Sequence, residues 1–273
     1  MKIYKLLIPV LVLIGVGLLS YPFIANIFAG IQEEKVISEY EKNIDKYSAE
    51  DSEREISLAS DYNDSISGEK IKDPFIQNSG ISVPDNYMSI LNFDGVMATI
   101  EIPKIKVKLP IYHGTSEKIL QKGAGHLVQS SFPVGGSSTH AVISAHRGLP
   151  NAKLFTDLVS LKKSDRFFIK VMNETLCYEV DQIQKVEPNE TKELLPVIGE
   201  DYVTLVTCVP YGVNSHRLLV RGTRVPYEKM HTEKINLSSD SSKKSFSIIL
   251  SIAITTIVIF LVRKHFKKNK SIN

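Results

Sequence analysis

The sequence predicts a mainly β domain, a closed barrel or sandwich of short strands, lying between an apolar segment near each end of the chain. Three observations carry this. From Met97 onward, short runs rich in Val, Ile, Thr and aromatic residues alternate apolar with polar positions, separated by Gly, Pro, Asn and Asp. Helical periodicity is confined to residues 31–61 and to a short piece after Pro150. The stretch Leu6–Ala29 contains no Asp or Glu, and a second apolar run covers Phe246–Val262.

Taken in order, residues 1–30 read as an N-terminal membrane segment preceded by Lys2 and Lys5. Pro22 would kink a helix there without forbidding it, and Ile27-Phe-Ala29-Gly offers a weak cleavage site, so a signal peptide is the alternative. In residues 31–69, Val36/Ile37, Tyr40, Ile44 and Tyr47 recur at helical spacing and predict one amphipathic helix, an extracellular stalk. Residues 61–86, rich in Ser, Asp, Asn, Gly and Pro, read as loop. Strands are expected at Met97–Pro103, Lys106–Tyr112, Thr139–Ser144, Arg166–Met172, Thr175–Val186, Asp201–Cys208 and His216–Thr223. Asn173-Glu174 reads as a hairpin turn, Ala152–Leu158 as a helical piece, and Gly123, Gly125, Gly135 and Gly136 as turn glycines. The β domain then covers 90–228. A polar linker (229–245), the second membrane helix (246–262) and a basic tail (263–273) follow. At about 1.5 Å per residue, the second apolar run reaches about 25 Å, near the short limit for a span.

Basic residues mark the cytoplasmic side, so Lys2, Lys5 and the Arg263–Lys270 cluster put both termini inside and the β domain outside. Setting aside those seven terminal bases leaves 26 against all 30 acids, a net charge of −4. The whole-chain +3 therefore reflects membrane anchoring, and a nucleic-acid partner is not expected. The glycine pairs lack a following Lys-Ser/Thr and helix, so they form no phosphate loop.

The chemistry gathers at two strand ends. Val203-Thr-Leu-Val-Thr207-Cys208 is an apolar strand closing on a thiol, followed by a Pro210/Gly212 turn and by Arg217 at the start of the next strand. A thiol at a strand end beside a cation is expected to be partly exposed with a lowered pKa, hence nucleophilic. Sixty-two residues upstream, Thr139-His-Ala-Val-Ile-Ser-Ala-His146 ends on a histidine. Cys208 as nucleophile, His146 as general acid/base and Arg217 as oxyanion donor are the parts of an acyl-transfer site. Each has a plainer reading: a buried core cysteine, a strand-capping histidine, a surface ion pair. His216 competes with His146, but in a period-2 strand it points away from Arg217. Thr207 is a candidate for substrate placement, while Arg221 and Arg224 fit surface pairs. Cys177, among Thr175, Glu179 and Asp181, reads as a free thiol on a polar strand face rather than as a disulfide partner of Cys208.

The combination resembles the sortases, specifically class C, the pilin-polymerising transpeptidases. Thr207-Cys208 with Arg217 nine residues on resembles the family's active-site signature, and so does His146 at the end of its strand. Gly123-Ala-Gly-His126, Phe132-Pro-Val-Gly-Gly136, His146–Phe155 and Pro210-Tyr-Gly212 look like class C in particular. The resemblance covers roughly residues 70–226. It implies an eight-stranded sortase barrel, no metal and no cofactor. It also implies a thioacyl mechanism on an LPxTG-like sorting signal, with a lysine amine of another pilin subunit as acceptor. Asp73-Pro74-Phe75 looks like the lid motif of class C, within a lid loop spanning 70–89. A sortase that attaches surface proteins to cell-wall precursor is the near alternative, and a non-catalytic membrane-tethered adhesin the remote one.

Overall fold

A computed structural model of the chain describes residues 4–66, 71–76 and 83–227. It divides into two units, one of Met1–Leu19 with Glu228–Asn273, the other of Ser20–Tyr227. The expected linker, second membrane helix and basic tail lie outside the described residues. Helix α1 (Tyr4–Ile44) is long and apolar enough to cross a membrane: within Val10–Ile44 an 18-residue window has mean hydropathy 2.1 and none of it is buried.

The second unit is built on eight strands: β1 (Val96–Ile102), β2 (Val107–His113), β3 (Ala124–His126), β4 (Thr139–Ser144), β5 (Arg166–Val171), β6 (Glu174–Val186), β7 (Asp201–Val209) and β8 (His216–Val225). They close into a barrel in the order β1-β2-β3-β4-β7-β8-β6-β5. The expected barrel is therefore what forms, and closure leaves no unpaired edge. Two of its pairings, β2–β3 and β4–β7, are parallel; the rest are antiparallel. Parallel pairing explains why β4 is buried at every position instead of alternating. Ile100, Ile143, Phe167, Ile169, Val203, Leu205 and Val220 fill one core, all with 0% exposure.

Residues 31–69 do not stand off as a stalk of one helix. The chain breaks after Ile44 and restarts as α2 (Ala49–Ser65), whose N-terminus is capped by the Ser48 hydroxyl accepting from the Asp51 amide at 3.0 Å. That cap overrides the continued periodicity and leaves Tyr47 outside the helix. Both helices pack on the barrel. Tyr40 donates to the Met97 carbonyl and accepts from the Met172 amide, Tyr62 donates to the Val128 carbonyl, and Asn63 pairs both ways with the Phe132 backbone. Helix α2 also runs five residues into the stretch expected as loop.

Three other local expectations are corrected. The β5–β6 turn is Met172-Asn173, with Met172 at φ 48° and its amide held by Tyr40; Glu174 already belongs to β6. No α-helix forms over 152–158, because Leu154 sits at φ 40° and only a 3₁₀ turn follows at Leu158–Ser160. Gly135 and Gly136, at φ 75° and 122°, are turn glycines as expected, but Gly125 lies in β3. A Cβ at Gly125 would run into the Gly114 carbonyl oxygen and sit 3.1 Å from Leu120 of α3 (Glu117–Leu120), so the close approach of the Gly114 backbone requires glycine there.

Candidate active site

Cys208 and Arg217 are direct cross-strand partners, since the antiparallel register of β7 and β8 pairs them. Opposed residues of an antiparallel pair share a face about 5 Å apart, so the hairpin itself brings thiol and guanidinium together. The neighbouring register positions the histidine. Strands β4 and β7 run parallel with Thr139 opposite Asp201 and Ser144 opposite Val206, an offset of 62 residues. Carrying that offset two residues past the end of β4 brings His146 level with Cys208. The Ala145 amide donates to the Val206 carbonyl, and the Thr207 hydroxyl donates to the Ala145 carbonyl at 2.8 Å, so the two strand ends stay tied. Thr207 is fully buried with its hydroxyl bonded, so it ties the Cys208 strand to the His146 strand. His216 is bonded to the Ser215 hydroxyl, whereas Arg217 on the opposite face is buried.

Residues 71–76 lie across this site. The Ile71 carbonyl accepts from Thr191 and the Lys72 amide donates to the Gln129 side chain. Asp73, its side chain 1% exposed, accepts from Arg217 Nε at 2.9 and 3.1 Å and from Nη2 at 2.6 Å. Arg217 Nη1 turns to the Asn214 and His216 carbonyls, so every nitrogen of the guanidinium is engaged. Pro74 is buried. The Phe75 ring lies 5.8 Å from that of His146, and Arg217 Cζ lies 5.1 Å from its centroid. Asp73, Pro74 and Phe75 thus all stand over the strand ends that carry the thiol, the imidazole and the guanidinium.

This cover overturns the expected exposure and acidity of the thiol. Cys208 is only 7% exposed, and its pKa is raised: burial disfavours the thiolate, Arg217 opposes this, and Asp73 reinforces it. The cation is beside the thiol as expected, but its charge is largely met by Asp73. Cys177 is also a free thiol, as expected, yet it is buried. It is 2% exposed, covered between Phe168 of β5 and Val225 of β8, although its strand face carries Thr175 and Glu179 as expected. Arg221 and Arg224 pair with Asp181 and Asp201, away from the thiol.

Two contributors were not foreseen. Glu117, at the start of α3, holds His146 Nε2 at 3.1 and 3.2 Å. Tyr211, in the loop after Cys208, donates to the Gly148 carbonyl at 3.4 Å and lies so close that a Cβ on Gly148 would come within 2.5 Å of its ring. Neither is legible from spacing, since the partners are 29 and 63 residues apart on irregular segments. Among the described residues no group of three His, Cys, Asp or Glu side chains is arranged to hold a metal ion.

Residues 100–225 match the Sortase domain family. The crystal structure of Streptococcus pneumoniae sortase C, a protein described in terms of its catalysis and pilin substrate specificity, is 46% identical, covering 71% of this chain and 97% of that one with a TM-score of 0.66. Sortase C-1 of Actinomyces oris is 48% identical over 64% of this chain and 97% of its own, with a TM-score of 0.62. Sortase A of Bacillus anthracis is more distant, 28% identical over 82% of this chain and 95% of its own. Identity of this order across nearly the whole of two solved sortase C chains, on the same closed barrel, settles the family: this chain is a sortase, a cysteine transpeptidase, of class C.

Proposed function

We propose that this sortase polymerises pilins, with Cys208, His146 and Arg217 as its reacting groups and Asp73-Pro74-Phe75 as a lid that must leave first. Cys208 Sγ attacks the Thr carbonyl carbon of an LPxTG-like sorting signal while Arg217 donates to the developing oxyanion. The Thr–Gly C–N bond breaks as His146 gives a proton to the departing glycine nitrogen, leaving a thioacyl enzyme. A lysine amine of the next subunit then attacks the thioester. It loses its proton to His146, and an isopeptide bond forms as the Cys208 thiolate is released. What supports this reading is the cross-strand pairing of Cys208 with Arg217, together with the β4–β7 register that, carried on two residues, sets His146 level with Cys208.

The lid follows from the same geometry. Arg217 cannot donate to an oxyanion while Asp73 occupies Nε and Nη2. The closed arrangement is therefore a resting state in which Asp73 stands in for the negative charge of the reaction. Pilin as substrate is supported by the sortase C of Streptococcus pneumoniae, a solved relative described for pilin substrate specificity. We further propose that α1 and the apolar run 246–262 anchor the enzyme in the lipid bilayer with both termini cytoplasmic. Reporter fusions after Lys229 should then read external and those at Asn273 internal.

The test is incubation of the purified full-length chain with a pilin subunit carrying the sorting signal and a second subunit supplying lysines. Denaturant-resistant oligomers joined by Thr–Lys isopeptide bonds are expected. Cleavage without oligomers, together with transfer only to a cell-wall precursor amine, would instead make the enzyme a surface-protein anchoring sortase.

A further inference from the structure

We infer that Glu117 is a positioning residue for His146: it holds the Nε2 proton, fixes the ring and leaves Nδ1 to exchange the proton of the reaction. The inference rests on the proposed role of His146 as general acid. Both Glu117 oxygens lie within 3.2 Å of Nε2. A carboxylate only accepts, so Nε2 must be the donor and the tautomer is set. With Nε2 engaged, Nδ1 is the remaining nitrogen able to serve a leaving amine or an incoming one. When it does, the proton passes from Nδ1 to the amine nitrogen and Glu117 stays ionised throughout.

Glu117 is itself held in place. It occupies the first turn of α3, and Gln121 Nε2, one turn on, donates to its Oε1 at 3.0 Å. Helix α3 packs against β3, where Leu120 and Ile119 would lie 3.1 and 3.3 Å from a Cβ at Gly125. The His146 ring is 20% exposed and the Glu117 side chain 53%. The other groups facing His146 are the uncharged Phe75 ring and, at the strand ends, Cys208 and the Arg217–Asp73 pair; Arg147 is turned away onto the Thr156 carbonyl. Once the lid leaves, Glu117 is the anionic group that remains in contact with the imidazole.

Because Glu117 is half exposed, its effect on rate is modest: about fivefold, the factor set by an exposed ion pair. The experiment measures two things on the full chain in detergent. One is the tautomer of His146 by ¹⁵N NMR in a Cys208→Ala background. The other is the rate of thioacyl formation on a sorting peptide with Cys208 intact. Glu117→Ala is expected to abolish the Nε2–H preference and reduce kcat about fivefold with KM unchanged. Glu117→Gln should keep the tautomer, through its amide oxygen; Glu117→Asp should partly restore kcat. Unchanged His146 signals in Glu117→Ala, or a kcat that rises, would overturn the inference. A rise would mean that Glu117 restrains His146 in an idle position. Full activity in His146→Ala would overturn the proposed function and this role with it, and the NMR shift separates that failure from a failure of Glu117 alone.

Discussion

Replacing Asp73 by Ala should expose Cys208, and the size of the effect follows from the contacts. Asp73 makes three charge-assisted contacts with Arg217 between 2.6 and 3.1 Å, and the two side chains are 1% and 11% exposed. Hydrogen bonds to charged groups contribute about 1.5–3 kcal/mol each, but burying both charges costs several kcal/mol that this attraction must first offset. Opening the lid re-solvates Arg217, so the full penalty of stranding a buried charge does not apply. A net loss of about 2–3 kcal/mol from the closed state is the working value, equivalent to a 30–150-fold rise in the open fraction at about 1.4 kcal/mol per decade. The assay is the rate of Cys208 alkylation by a small uncharged reagent in a Cys177→Ala background. A second effect adds to the first. Asp73 raises the Cys208 pKa while Arg217 lowers it, so removing the carboxylate moves the midpoint of the rate–pH profile to lower pH. The limiting rate at high pH, where both enzymes are fully thiolate, isolates the opening term. Phe75→Ala on top of Asp73→Ala should accelerate the reaction further, since Phe75 packs on both His146 and Arg217. Limiting rates within twofold of the wild type would refute the argument that this segment covers the thiol.

Other expectations follow from the same structure. His146→Ala and Arg217→Ala should each slow thioacyl formation at least ~100-fold, the scale of one acid/base group or one oxyanion donor, whereas Cys177→Ala should leave it nearly intact. Gly125→Ala should destabilise the barrel by about 1–3 kcal/mol, read as a Tm lowered by several degrees, because the new methyl overlaps the Gly114 carbonyl. Acid should weaken the fold well above the carboxylate range. Burial lowers the pKa of His126 to about 3 and of His140 to about 4, so the unfolded chain binds protons that the folded one refuses once pH drops below about 6.5. Stability is complete above that pH and falls by up to about 1.4 kcal/mol per unit per histidine as pH decreases toward 4. Urea midpoints at pH 7.5 and 5 check this, and His140→Gln should reduce the difference.

The strands that build the barrel were legible because β-branched alternation marks a pleated, half-buried surface, and seven of the eight could be placed from it. The missing one, β3, has three residues, two of them short enough to carry no pattern: Ala124 and Gly125. Helix α3 is a single turn, too brief for periodicity. The break between α1 and α2 turned on one hydroxyl, Ser48, whose capping signal competes with an apolar stripe that runs straight past it. At the site, the pairing of Cys208 with Arg217 was readable because a hairpin is a local structure. The alignment of His146 with Cys208 required the parallel β4–β7 register, which no short-range signal carries. The acidity of the thiol was misjudged for a related reason: the neighbouring cation was visible in sequence, while its neutralisation by a carboxylate 144 residues away was not.

The central claim is that Cys208 carries the acyl group. Mass spectrometry of the full-length enzyme after brief exposure to an LPxTG-like peptide, quenched in acid, tests it most directly. The account predicts an adduct equal to the peptide up to its threonine, located on Cys208, sensitive to hydroxylamine as a thioester is, and absent in Cys208→Ala. An adduct on Cys177, or peptide cleavage that persists in Cys208→Ala, would contradict it.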